Sequence, residues 1–240
     1  MAPSDIEKAE IVNANQPPPH GMSRDSFATT RSRSATHHLG NPSPLGLFSF
    51  ASTTLILSLY NTGARHINTP NAVVGMAIFC GGLAQLLAGM WEFAVGNTFG
   101  ATAFSSYGAF WLSYATLFIP SSGIAAAYEA ADPAGQEPSA LGIYLLTWML
   151  VSFFFFIASV RKNLSFGALF FFLTLTFLLL AAQNFTGSVN VGKAGGVLGV
   201  ITAFIAYYAG LCTLLSPDDL FTLPLGVALV AKGHPGREAE

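Results

Sequence analysis

Glu92 is the one acidic side chain inside a long apolar run of this 240-residue chain, in the stretch MWEFAVGNTFGATAFSSYGAFW from Met90 to Trp111. Gly96, Asn97 and Gly100 follow it as a hinge of a few residues. The next segment carries Thr102, Ser105, Ser106 and Tyr107 before closing on Phe110, Trp111 and Leu112. Hydroxyls and glycines strung through apolar sequence suit a membrane protein at places where helices meet each other or a water-filled path. Small residues let backbones approach there, and polar ones line a cavity. Function is expected in this stretch. A carboxylate at mid-bilayer costs about 3 kcal/mol on insertion scales. The helical rise per residue, however, puts Glu92 only about 6 Å from Gly96, within reach of the interface or of the amides that start a helix at Asn97 and Thr98. Two roles stay open for it: a structural brace at the hinge, or a proton-coupling group whose burial raises its pKa.

The elements that must position these residues follow from composition. Hydrophobic residues make up 52% of the chain and charged ones 9%, with mean hydropathy +0.54; a soluble domain carries roughly a quarter charged residues. A span needs about 20 mostly apolar residues, and six runs qualify: 44–61, 70–94, 99–119, 141–160, 165–183 and 195–215. The expected fold is an all-α integral membrane protein. Residues 1–40 form a disordered, polar cytoplasmic tail with no apolar leader stretch, 41–216 a six-helix transmembrane domain, and 217–240 a cytoplasmic C-terminal tail. Ser43-Pro44 and Thr69-Pro70 each read as a capping hydroxyl before a proline at the first helical position.

Orientation follows from the basic residues. A cytoplasmic N-terminus places Lys8, Arg24, Arg31, Arg33, Arg161, Lys162, Lys232 and Arg237 inside and leaves Arg65 and Lys193 outside, so both termini are expected in the cytoplasm. Ala77/Gly81, Ala84/Ala88, Gly195/Gly199 and Ala206/Gly210 are pairs of small residues that support close crossings. Phe166, Phe170, Phe171, Phe172 and Phe177 make the fifth run aromatic around most of its circumference, with lipid contact the simplest reading for most of them.

Other function classes fare poorly. Positive charge is not clustered as a nucleic-acid site needs, and Cys80 and Cys212 both fall in apolar runs, where they act as small hydrophobes rather than as a disulfide framework. His20, His37, His38, His66 and His234 all lie outside the spans, leaving no haem or metal pair at membrane depth. No hydrolase or metalloprotease motif occurs. Neither an enzyme nor a cofactor is expected.

Two long blocks carry a resemblance. Asn41-Pro42-Ser43-Pro44-Leu45-Gly46-Leu47 resembles the Asn-Pro-small-Pro-Leu-Gly-Leu signature of the acetate uptake transporter family. Glu92 through Trp111 resembles that family's Glu-aromatic…Gly-Asn-Thr-Phe-Gly…Ser-Tyr-Gly-x-Phe-Trp block, and Leu223-Pro224-Leu225-Gly226 its short motif after the last span. Ser43 stands where alanine is commoner, and Ala94-Val95 replaces a basic pair frequent in bacterial members. The resemblance implies six helices around a pore in each subunit, a homo-hexameric ring in the plasma membrane, and an apolar constriction built from Phe50, Tyr107 and Leu173. Ala206 matches a position that affects which carboxylates fit. The substrate it implies is acetate and other short monocarboxylates, extending to succinate, moved by proton symport or through an anion-channel-like path.

Acetate needs hydrogen-bond donors, some apolar surface and little fixed negative charge along its path. Asn41, Asn97 and Thr98 at helix starts, and Thr53, Thr54, Thr102, Ser105 and Ser106 along the spans, are the candidate lining. The competing reading is that these hydroxyls bond to their own helices. Two alternatives stand beside acetate transport: movement of ammonia or ammonium, which fungal relatives have been proposed to perform, and an acetate sensor without flux.

Overall fold

Backbone N–H and C=O groups find no water in hydrocarbon, so an apolar stretch satisfies them internally by coiling. The computed structural model describes residues 39–67, 69–131 and 135–227, and all regular structure among them is helical. Helix α1 spans Ser43–Asn61, α2 Val73–Ala94, α3 Thr98–Thr116, α4 Ile124–Ala131, α5 Gln136–Ser159, α6 Leu164–Thr186 and α7 Val189–Leu214. The tails expected at 1–38 and 228–240 lie outside the described residues.

Helices α1, α2, α5, α6 and α7 are long and apolar enough to cross a membrane. Helix α3, the remaining expected span, has 19 residues but is not among them, because its threonines, serines and glycines dilute its hydropathy. It keeps its large apolar side chains inside: Phe104, Tyr107, Phe110 and Trp111 are all buried in the bundle. The connection between α3 and α5 contains α4.

The helix starts depart from the capping pattern expected. Asn41, not Ser43, serves the start of α1: its Oδ1 accepts the Ser43 N–H at 3.0 Å, while Ser43 Oγ donates to a carboxylate oxygen of Glu92. Helix α2 begins three residues after Pro70, whose carbonyl accepts the Val73 N–H at 2.9 Å, and no side chain caps it. From Met76 to Ala84 the chain of α2 winds as a nine-residue π-helix. Such a wide segment re-aims the side chains of the turns beyond it. Gln85 and Glu92, two turns apart on one face, both end up buried in the bundle interior at 1% exposure.

Three of the four small-residue pairs place a glycine in a close contact within the subunit. Gly81 packs under the Trp111 ring, Gly195 under Leu180, Gly199 against Ser58 and Gly210 against Phe48. Phe170 and Phe177 of α6 are buried, whereas Phe171 faces outward. The Leu223–Gly226 motif docks back on the bundle. The Pro224 carbonyl accepts Tyr208 Oη–H at 2.7 Å, and the Leu225 carbonyl accepts both the Ser165 N–H at 3.2 Å and its Oγ–H at 2.8 Å. Gly226 sits at φ 82° with Leu164 where a Cβ would go, so this position requires glycine on two counts.

Helices α2 and α3 also cross closely at Gly108, where a Cβ would lie 2.8 Å from the backbone nitrogen of Leu86. Backbone cannot step aside as a side chain does. Gly108→Val is expected to lower the thermal stability of the purified protein by about 1–3 kcal/mol. Gly75→Ala, with open space around it and helical backbone angles, should leave the melting temperature of the detergent-solubilised protein unchanged or slightly raised.

Candidate permeation site

Glu92 lies where three helix ends converge. One carboxylate oxygen accepts Ser43 Oγ–H from the first turn of α1, and the other accepts Asn97 Nδ2–H at 2.8 Å. Asn97 in turn accepts the Gly100 N–H at 3.1 Å as the cap of α3, and its own N–H donates to the Glu92 carbonyl at 2.9 Å. Gly96, at φ 82°, makes the reversal that brings Asn97 back over Glu92. The carboxylate is therefore matched by two donors, which is what a buried carboxylate needs. Asn41 extends the cluster by donating from Nδ2 to the Thr213 carbonyl of α7 at 3.1 Å.

Two cavities enter the bundle from opposite ends. The one called inner, on the orientation that the basic residues predict, is about 210 Å³, starts at Ser43, Asn97 and Lys162 and deepens to Gln85, Tyr107 and Phe50. The outer one, about 260 Å³, starts at Asn61, Pro70 and Asn184 and deepens to Thr54, Leu173 and Phe50. Phe50 lines both. Tyr107 lines only the inner cavity and Leu173 only the outer, and all three side chains are buried. The Phe50 and Tyr107 rings meet edge-on, with centroids 5.5 Å apart at 60°, a favourable aromatic geometry. Ser152 Oγ–H is committed to the Trp148 carbonyl at 2.8 Å, so Tyr107 Oη–H donates to Ser152 Oγ at 2.8 Å. That bond turns the hydroxyl toward α5 and leaves the ring beside Phe50.

The remaining candidates separate by position. Thr54 lines the outer cavity with its hydroxyl buried and unpartnered among the described residues. Thr53 lines neither cavity and donates to the Ser49 carbonyl at 3.0 Å. Thr98, Thr102 and Ser106 line a lateral groove on the outer flank of α3, and Thr102 Oγ1–H donates to the Thr98 carbonyl at 2.7 Å. Ser105 is turned toward Gly89 of α2. Ala206 is buried in the core and lines neither cavity.

Three lining groups are not singled out by the sequence as path residues. Gln85 presents a buried amide to the inner cavity with neither Nε2 nor Oε1 partnered among the described residues. Trp111 Nε1–H is likewise buried and unpartnered at the outer cavity. Lys162 is the charged side chain at the inner mouth, its Nζ 4.5 Å from the centre of the Phe99 ring. An unpaired buried amide costs about 1–3 kcal/mol, and the sequence signal for Gln85 is that of a lone amide within an otherwise apolar span.

The carboxylate cluster yields a test. Glu92→Gln replaces one acceptor oxygen by an NH2 group facing a donor, and is expected to cost about 1–3 kcal/mol, read as lost monodisperse protein after heating. Wild-type folding combined with loss of pH-dependent uptake would instead assign Glu92 to proton coupling.

Comparison with known proteins shows the family. Residues 24–229 match the GPR1/FUN34/yaaH family. The chain is 52% identical over 180 residues to the "Ammonia transport outward protein 2" of Saccharomyces cerevisiae, covering 74% of this chain and 63% of that one. It thus spans just under two thirds of that curated relative's length. It is 37% identical over 190 residues to the "Succinate-acetate/proton symporter SatP" of Escherichia coli K12, covering 78% of this chain and 96% of the relative. The solved "Structure of the bacterial acetate channel SatP" superposes with a TM-score of 0.69 at 36% identity, over 78% of this chain and 99% of the other. The resemblance read from the Asn41 and Glu92 blocks therefore holds, and the chain belongs to the GPR1/FUN34/yaaH family of multi-pass membrane proteins.

Proposed function

We propose that this protein is a plasma-membrane permeation path for acetate and similar short monocarboxylates, with the inner and outer cavities as its two vestibules and Phe50, Tyr107 and Leu173 as the apolar constriction between them. The observation that carries this reading is the charge of the lining. Among the described residues Lys162 is the one charged side chain lining the two cavities, and no carboxylate lines either. A cation at one mouth and amide, indole and hydroxyl donors farther in suit a carboxylate, whereas an ammonium ion would need anionic or carbonyl-rich coordination. The apolar constriction fits the methyl end of acetate. The SatP relatives support the substrate, since their names specify acetate.

Those same names supply both mechanisms, symporter and channel. Because the lining holds no carboxylate, the anion moves down its electrochemical gradient unless a proton is coupled through Glu92, which is one hydrogen bond from the inner vestibule through Ser43 and Asn97. In the membrane α3 acts as the sixth span: its 19 residues reach about 28 Å, and its polar content is tolerable beside a water-filled path. Both termini face the cytoplasm by the distribution of basic residues, and six subunits form a ring. A second reading, passage of uncharged ammonia through the same constriction, is favoured by the name of the yeast relative.

Labelled acetate uptake into proteoliposomes tests the reading. Saturable uptake is expected, and accumulation under a pH gradient alone would establish proton coupling. Absent acetate flux beside ammonia flux would overturn the substrate assignment. Gln85→Leu removes the inner amide and is expected to weaken apparent acetate affinity about 10-fold or more, the usual worth of a hydrogen bond to a charged group. Phe50→Ala is expected to admit larger carboxylates.

A further inference from the structure

The groove between α3 and α5 lies outside the path. Helices α3 and α5 are tied by the Tyr107–Ser152 bond at 2.8 Å and by a Ser113–Tyr144 bond at 2.7 Å. On the Thr98 side of those ties a lateral groove of about 570 Å³ separates them. Thr98, Thr102 and Ser106 form one wall, Phe154 and Phe155 the other, and Lys162 stands at its end. Phe99 and Lys162 line both this groove and the inner vestibule.

We propose that this groove holds an anionic phospholipid of the cytoplasmic leaflet, and that the lipid phosphate competes with the permeant anion for the Lys162 ammonium. Lys162 follows the end of α5 at Ser159, the level at which headgroups sit, and Arg161 beside it is also exposed. Among the described residues Lys162 meets an aromatic face rather than a carboxylate. A cation–π contact leaves the ammonium available to a phosphate, and basic pockets between helix ends on the cytoplasmic side take acidic headgroups. Phe154, at 64% exposure, offers an acyl chain an apolar wall. On the hydroxyl wall Thr102 Oγ1–H is held by the Thr98 carbonyl, and Thr98 and Ser106 add hydroxyls that face the ester region. The lipid binding stands by itself; its effect on transport rests on the carboxylate path proposed above.

Native mass spectrometry of the protein exchanged into equal phosphatidylserine and phosphatidylcholine reads the binding. Phosphatidylserine is expected to be retained preferentially, with the preference lost in Lys162→Gln and in Ala158→Trp, which fills the groove beside an intact lysine. In proteoliposomes, adding phosphatidylserine to phosphatidylcholine is expected to raise the KM for acetate about fivefold in wild type. Ala158→Trp, with the same bilayer charge, should show a smaller rise. Equal retention of both lipids, a preference that survives both variants, or dissociation of the oligomer in Ala158→Trp (which would make the groove a contact between copies) would each overturn the proposal. Absent acetate flux together with selective retention would overturn the path and leave the lipid site standing.

Discussion

A single buried carboxylate, with a donor on each oxygen, sets the arrangement of the inner mouth. Ser43 brings the start of α1 to Glu92, and Asn97 brings the start of α3. A buried carboxylate needs both donors, so each bond ties a helix end to the same acceptor. The carboxylate thereby determines the angle at which α3 leaves the Gly96 reversal. That angle places Phe99 at the rim, Tyr107 two turns deeper and Gly108 against the α2 backbone. The two family blocks, far apart in sequence, are two sides of this one contact.

The proposed path distributes a single problem, the dehydration of a small anion, over several groups. Lys162 supplies long-range attraction at the mouth, and a unit charge in a partly enclosed site acts more strongly than in bulk water. Gln85 offers a short-range donor before the aromatic gap, and Thr54 and Trp111 offer donors after it. Moderate, repeated interactions of this kind allow entry without trapping. Keeping Glu92 out of the lining, with both oxygens engaged, spares the permeant anion a like charge.

The spans are legible in the sequence because hydrocarbon permits few solutions: the lengths and the break at Gly96–Asn97 follow from hydropathy and glycine placement. Ser43 reads as a cap because capping is local, whereas its partner lies 49 residues away. The α3 hydroxyls read as one set, yet Thr98, Thr102 and Ser106 recur every four residues and share a flank directed away from the cavities. Helical periodicity carries that distinction. The π-helical stretch of α2, which packs against α1 and α3, is not legible, since hydropathy and glycine placement do not distinguish it from an α-helix. With it goes the aim of Gln85.

The central claim is that two vestibules open to opposite sides of the membrane and meet at Phe50. In protein with Cys80 and Cys212 replaced by serine, Ala103→Cys reports on the inner vestibule and Thr54→Cys on the outer. Labelling with a membrane-impermeant, charged thiol reagent applied to each face in turn is the direct test. Modification of Ala103→Cys from the cytoplasmic face alone and of Thr54→Cys from the opposite face alone, each slowed by acetate, is the predicted result. Labelling of both positions from one face, or rates indifferent to acetate, would contradict the account.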